Sequence, residues 1–210
     1  MNSIACVRGE ATLFEDLNLS ISNGQCVHLQ GANGSGKTSL LKILSGINRP
    51  DSGQITWNDQ AIHKSNSYHR NCIYLAHKDG LKNELSAIEN LRFYQHLDGL
   101  RNEDKLDDCL LHMGLLDKAD LTAQQLSFGQ RRRLAFARCL LKESALWILD
   151  EPFTGIDSQG RNLIESACLK HLEQGGMIVL THHRQLSDSL LAPYLNEIDI
   201  DDTLTEREAC

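Results

Sequence analysis

The 210 residues suit one domain, or one domain carrying a small subdomain, and are enough to bury a sizeable core. A net charge of −7 argues against bulk electrostatic capture of nucleic acid, so no nucleic-acid partner is expected. No apolar run approaches the roughly 20 residues that span a bilayer, and the first residues lack a basic stretch followed by an apolar one. The expectation is a soluble intracellular chain whose membrane role would pass through a partner.

Short β-type runs at Ile4–Val7, Leu17–Ile21 and Cys26–Leu29 open the chain. The third leads into "GANGSGKTS", which matches G-x-x-x-x-G-K-[ST] in full and continues as a helix through Leu40, Leu41 and Leu44. Such a P-loop offers the backbone N–H groups of Gly31, Ala32, Asn33, Gly34, Ser35 and Gly36, with Ser39 just behind, to nucleotide phosphates. Lys37 is expected to reach the β- and γ-phosphates of ATP, and Thr38 to ligate Mg²⁺.

Gln54–Trp57 and Cys72–Leu75 are the next β-type runs, the second meeting His77 and Lys78. From Ser86 to Leu141 the pattern turns helical. Ser86 with Glu89 and Ser127 with Gln130 are capping boxes, and Leu91, Tyr94 and Leu97 follow the first at helical spacing. The architecture predicted is an α/β core, residues 1–77 and 131–210, interrupted by a helical insert over 78–130.

Trp147–Leu149 and Ile178–Leu180 are continuous apolar runs, as expected of strands buried on both faces of a mixed or parallel sheet; Asn196–Ile200 is a last β-type run. Asp150 and Glu151 stand just beyond the first of these. In a chain that also carries a P-loop, Asp150 is placed to hold Mg²⁺ and Glu151 to polarise the attacking water as general base. The seven cysteines form no CxxC pair, and the nine histidines no HExxH spacing. The cysteines read as small buried hydrophobes in a reducing compartment.

"LSFGQRRRLAFARCLL", Leu126 to Leu141, resembles the signature segment of the ABC (ATP-binding cassette) ATPases, usually LSGGQ. Together with the P-loop and Asp150-Glu151, the resemblance spans essentially the whole chain. It implies a P-loop NTPase fold of the ABC type, a mixed sheet with a helical subdomain, and two cassettes sandwiching two ATPs head to tail. In that arrangement Ser127, Gly129 and Gln130 complete the ATP site of a second copy. A capped helix start with small residues suits close phosphate approach. Arg131-Arg132-Arg133 then reads as a solvated or partner-facing stretch rather than a nucleic-acid patch.

The same resemblance assigns "TGID", Thr154 to Asp157, to the loop linking the two ATP sites, and a histidine of "LTHHRQL" to the γ-phosphate. The Thr-x-His spacing points to His183, and a Thr-His count to His182; His183 is preferred. His77 stands where the family usually has a glutamine that senses Mg²⁺ and water, and the loop after it contacts the membrane partner. Arg8 matches the position whose aromatic side chain stacks on adenine, with Phe14 the other choice. Phe128 replaces a glycine, and Gly155-Ile156 departs from the usual linking loop; both read as tolerated variation.

"SYHRNCIYLAHKDGLKNELSAIENLRFY", "WILDEPFTGID" and "EQGGMIVLTHHRQL" look like the ATP-binding subunit of the heme exporter of cytochrome c maturation. That likeness implies a homodimer on the cytoplasmic face of the bacterial inner membrane, docked on integral membrane permease subunits and reaching heme only indirectly. A cassette for another hydrophobic cargo, such as a lipoprotein or peptide, and a nucleotide-binding regulatory module with little turnover remain the alternatives.

Overall fold

The computed structural model describes residues 1–183 and 185–201. Strand β1 (Asn2–Arg8) and β2 (Ala11–Leu17) form an antiparallel hairpin, followed by β3 (Cys26–Gln30) and helix α1 (Lys37–Leu44). Three short strands, β4 (Ser52–Gln54), β5 (Thr56–Trp57) and β6 (Gln60–Ala61), precede α2 (Asn66–Asn71) and β7 (Cys72–Leu75). Then come α3 (Ala87–Leu97), α4 (Asp104–His112), α5 (Phe128–Lys142), β8 (Leu146–Asp150), α6 (Ser158–Glu173), β9 (Met177–Thr181) and β10 (Leu195–Asp199).

The central sheet is parallel in the order β10-β3-β9-β8-β7, while β4 joins the hairpin in a separate antiparallel sheet ordered β2-β1-β4. Side chains alternate across the parallel sheet; β3, β8 and β9 are buried on both faces, and the edge strand β10 is partly exposed. Trp147 and Leu149 of β8, Ile178 and Leu180 of β9, and Ile73 and Leu75 of β7 pack with α3–α6. Leu146, Ile148, Met177, Val179 and Cys72 pack on the other side with α1, α2 and the antiparallel sheet. Burial on two faces is why these strands are unbroken apolar runs rather than alternating ones.

The β-type run Leu17–Ile21 is corrected: the strand is Ala11–Leu17 and stops there. Asn18 ends it by accepting from Ser3 N (2.8 Å) and donating to Asp16 O (2.7 Å). Leu19 N then bonds to Met1 O rather than continuing the ladder. Gln54–Trp57 is likewise broken at Ile55 between two short strands.

Between β7 and α5 lie α3, α4 and short 3₁₀ turns. Both predicted capping boxes form: Ser86 Oγ accepts from Glu89 N, and Ser127 Oγ from Gln130 N. The loop that leads into α3 is held by buried Asn90, which accepts from Lys82 N and donates to the carbonyls of Lys82, Leu85 and Ser86. Helix α5 packs on α3, α4, α6 and β7, so it joins this helical stretch to the sheet. Six cysteines are buried and unpaired, and burial pushes the thiols of Cys26 and Cys139 up to about 12; Cys210 lies outside the described residues.

Candidate functional site

At the carboxyl ends of β3, β8 and β9 the chain closes around a cavity of about 380 Å³. Asn33, Gly34, Gly36, Lys37, Thr38 and Ser39 form one wall. His77, Asp150, Glu151, Thr181 and His183 form the opposite wall, and Leu13 closes one side. Residues more than 140 positions apart in sequence meet here because β3, β8 and β9 are neighbours in the sheet. Ligand sites of open parallel sheets form in this region.

The loop is shaped by glycine. Gly31, Gly34 and Gly36 have φ of 137°, 92° and 101°, which side chains rarely adopt. Gly36 is the N-cap of α1 and makes no side-chain cap bond, so the first N–H groups of α1 stay available to an anion. A Cβ on Gly36 would stand 3.0 Å from Leu13 Cβ and 3.1 Å from the Phe14 ring, which fixes how closely the loop meets β2. Ser35 Oγ is buried with no hydrogen-bond partner among the described residues. Lys37 Nζ donates to Gly31 O (2.7 Å) and Ala32 O (2.8 Å), and Ala32 N donates to Asp201 Oδ2 (2.6 Å).

Across the cavity, Asp150 is buried and fully engaged. It accepts from Thr38 Oγ1 at 3.1 Å, Thr181 Oγ1 at 2.9 Å and Tyr74 Oη at 3.5 Å. Burial, then the Asp150 charge, raises the Tyr74 pKa, so its hydroxyl stays a donor. The described residues contain no cluster of three or more His, Cys, Asp or Glu able to hold a metal ion alone. A hydroxyl bonded to a carboxylate beside a phosphate cradle is nonetheless the hard oxygen donor set that suits Mg²⁺, which takes one or two protein ligands plus substrate phosphates.

Glu151 has φ 53°, a strained conformation for a side-chain-bearing residue, and its carboxylate is almost wholly enclosed. Thr154 Oγ1 donates to Oε2 at 3.0 Å, His182 Nδ1 lies 3.3 Å from Oε2, and His183 Nε2 lies 3.3 Å from Oε1. Burial alone would raise its pKa, but the hydrogen bonds from His182 and Thr154 and the charges of both histidines outweigh it. The net shift is downward, so the group is a carboxylate at neutral pH.

The two histidines divide their work. His183 is 57% exposed on its side chain and faces the cavity; His182 is 8% exposed, packs edge-on to Phe153 at 5.5 Å, and does not line it. The carbonyl of His182 accepts from buried His28 Nε2 at 3.2 Å.

Arg8 lies exposed at the β1–β2 turn, outside the wall of this cavity, and Phe14 is fully buried in the core. Ser127, Gly129 and Gln130 also lie outside that wall, at the capped start of α5. The reading of Arg131-Arg132-Arg133 as a solvated or partner-facing stretch is corrected. Arg131 pairs with Asp79 at 2.9 Å, and Arg133 donates to Met113 O at 2.6 Å.

Arg132 is buried and donates to the carbonyls of Ala76, His77, Asp150 and Glu151 at 2.8, 3.2, 2.5 and 3.0 Å. Its fork ties the ends of β7 and β8 together, the segments that bring His77 and Glu151 to the same cavity wall. Sequence reasoning missed Arg132 because a charged triplet signals solvent. The available hint was its helical spacing from buried Leu134, Ala135 and Phe136, which places part of the triplet on the inward side of α5.

Comparison with known proteins agrees with this geometry. The family model described as "ABC transporter" matches residues 14–154. The cytochrome c biogenesis ATP-binding export protein CcmA of Histophilus somni is 47% identical over 91% of this chain and 89% of its own length. Proteins of the same name from Aliivibrio fischeri and Vibrio vulnificus are 43% and 41% identical, over 89% and 96% of this chain and 92% and 98% of their own. Among solved structures, an ABC transporter ATP-binding protein of Pyrococcus furiosus superposes with a TM-score of 0.81 at 24% identity, covering 96% of both chains. A dimeric ATP-binding cassette bound to ADP and Pi superposes at 0.80, 22% identical, over 95% of this chain and 94% of its own. The chain belongs to the ABC transporter ATPase family, in the type of the cytochrome c biogenesis ATP-binding export proteins.

Proposed function

We propose that this chain hydrolyses Mg·ATP as the peripheral subunit of a membrane ABC complex that serves heme export for cytochrome c biogenesis. The observation that carries the ATPase reading is the enclosed Glu151 carboxylate, held by Thr154, His182 and His183 across a cavity from the P-loop. The cargo reading rests on the names of relatives up to 47% identical over most of the chain.

In this reading the α1 N-terminus and the amides of residues 31–36 hold the phosphates, with Ser39 behind them. Lys37 turns from its two carbonyl partners to the phosphate oxygens. Thr38 and Asp150 would hold Mg²⁺, which would supply positive charge against the developing charge on the phosphates. Glu151 takes the proton of the attacking water, having been kept ionised by its histidine neighbours. His183 meets the γ-phosphate from the cavity side. His77, whose ring nitrogens both donate and accept, orients water at the entrance and passes the state of the site to the loop held by Asn90. Arg8, exposed at the hairpin turn, is the group assigned to the adenine face.

Ser127, Gly129 and Gln130, on a different surface from the P-loop, are offered to the ATP of a second copy. The dimeric ADP-bound neighbour and the family support that arrangement. No helix of the described residues is long and apolar enough to cross a membrane, so attachment would pass through integral permease subunits at the cytoplasmic face of the inner membrane, with heme handled there.

Deletion of the gene should abolish holo-cytochrome c while apocytochrome is still made, and the Glu151→Gln gene should not restore it. Purified Glu151→Gln protein should bind ATP and accumulate as a dimer with hydrolysis reduced at least 100-fold. Normal holo-cytochrome in the deletion strain refutes the cargo, and unchanged hydrolysis in the variant refutes the base.

A further inference from the structure

Strand β3 lies inside the parallel sheet, between β10 and β9, and its Cys26, Val27 and Leu29 are wholly buried apolar residues. His28 stands among them, 1% exposed, on the same face of the strand as Cys26 and Gln30. Strands buried on both faces are normally filled by apolar side chains, and a buried polar group costs stability unless it is bonded. An imidazole here therefore needs partners.

Both ring nitrogens have them. Nε2 lies 3.2 Å from His182 O; a carbonyl only accepts, so Nε2 carries a proton and donates. Nδ1 lies 3.3 Å from Gln30 Nε2 and 3.4 Å from Oε1 of Glu197, the register partner of His28 on β10. The amide suits a bare Nδ1 and the carboxylate a protonated one, so this nitrogen is met in either state. The bond from Nε2 to His182 is kept in both.

That bond falls where the sheet stops holding β9. Thr181 makes the last ladder pairs of β9, with Leu29 on one side and Asp150 on the other, and His182 is the next residue. The His182 carbonyl shares a planar peptide unit with the His183 N–H. Fixing its oxygen fixes the plane from which both imidazoles leave the chain. Those imidazoles hold opposite oxygens of one carboxylate: His182 Nδ1 is 3.3 Å from Glu151 Oε2, and His183 Nε2 is 3.3 Å from Oε1. No residue of β3 lines the nucleotide cavity, so any effect of His28 on the chemistry passes through His182.

We propose that His28 is a positioning residue for ATP hydrolysis: it anchors the His182–His183 peptide at the end of β9 and so keeps both imidazoles on Glu151. This rests on the reading of Glu151 as the base. Misplacing reacting groups by about 1 Å can cost on the order of 100-fold in rate, so one misaimed peptide is enough to register. The phosphate loop and Thr38 belong to other segments, so nucleotide binding changes much less than turnover.

The test uses the purified full chain. His28→Leu, which fills similar space without a donor, should lose at least about tenfold in kcat while KM for ATP stays within about threefold. His28→Gln, whose amide reaches about as far as Nε2, should restore most of kcat. His28→Asn, whose shorter amide stops near the Nδ1 position, should behave like His28→Leu and replaces it should that variant fail to fold. Long-range proton–nitrogen spectra of nucleotide-free protein carrying isotope-labelled histidine read the geometry without hydrolysis. The ring signals of His182 and His183 should move in His28→Leu and His28→Asn and return in His28→Gln. Unmoved ring signals, unchanged kcat in the folded variants, or a loss as large in His28→Gln as in His28→Leu overturns the proposal. Full hydrolysis by Glu151→Gln would instead remove the base reading, and the ring signals would still decide whether His28 is the anchor.

Discussion

The ring of Phe128 lies directly against Gly155: a Cβ on that glycine would come within 2.2 Å of Phe128 Cε1 and 2.5 Å of Cδ1. Two sequence departures that look unrelated, a phenylalanine in the signature segment and a glycine in the loop after Glu151, are therefore one fitted pair. Gly129 continues the contact, since its own Cβ would meet Gly155 O at 3.3 Å. Gly155 also has φ 72°, and this backbone constraint favours glycine there whatever the exposed Phe128 ring does.

Gly155→Ala should consequently lose stability by about 1–2 kcal/mol from the left-handed backbone alone, and more from the displaced ring. Phe128→Ala should remove only the second part. In thermal melts the double variant should be more stable than Gly155→Ala, and a double variant no better than the single would sink the pairing. Because Phe128 is 62% exposed, Phe128→Ala by itself should leave the melting temperature nearly unchanged.

His182 holds Glu151 from the buried side, and its loss should be read in pH rather than in folding. Glu151 is shifted down despite a burial term that pushes it up, so removing one of the opposing hydrogen bonds moves its pKa upward. The acid limb of ATPase activity in His182→Ala should therefore shift to higher pH, with the smallest loss on the alkaline side. His182→Gln, which keeps a donor, should restore part of the shift. An unmoved acid limb in His182→Ala would exclude this positioning role. The sign for stability is the same: ionised Glu151 favours the fold above the usual glutamate pKa, and that contribution fades as pH falls through its lowered value.

Arg132→Ala should orphan four carbonyls at the ends of β7 and β8. At roughly 1–3 kcal/mol for each unmet buried group, not fully additive, a loss of at least about 3 kcal/mol is expected. For a chain of this size that lowers the melting temperature by about 6–12 °C. Arg132→Lys should recover only part, because one ammonium cannot span both strand ends. Burial, the largest influence, lowers the Arg132 pKa, but arginine remains charged at any pH the protein survives.

His77→Gln should keep ATPase activity, since an amide can also donate and accept in the cavity wall, and His77→Ala should reduce stimulation of hydrolysis by membrane partners. ATPase assays with and without co-purified membranes separate the two. Equal stimulation of His77→Ala and the parent protein would reduce His77 to a loop residue.

The phosphate loop, the acidic pair after β8 and both capping boxes were legible in the sequence because each is a local device. Glycine at positive φ, a carboxylate following a buried strand, and a serine three residues before a glutamate or glutamine act on their immediate neighbours. The same holds for the parallel strands, whose double burial leaves unbroken apolar runs. Strand β2 was not legible, since its end depends on Asn18 bonding to Ser3, fifteen residues away.

Tertiary structure alone decided the rest. Arg131-Arg132-Arg133 carries the composition of a solvated face, and only the meeting of α5 with the ends of β7 and β8 turns Arg132 inward. His182 and His183 are adjacent and chemically identical. Chain direction at the end of β9 sends one into the cavity and the other behind Glu151. Phe128 and Gly155 are 27 positions apart by their numbers, and their contact exists because the start of α5 and the loop after β8 pass side by side. Sequence thus determined which glycine, hydroxyl, carboxylate and imidazole groups stand around the cavity, through short-range chemistry. Long-range packing decided how those groups are oriented, because a side chain's surroundings are set by segments the local pattern does not contain.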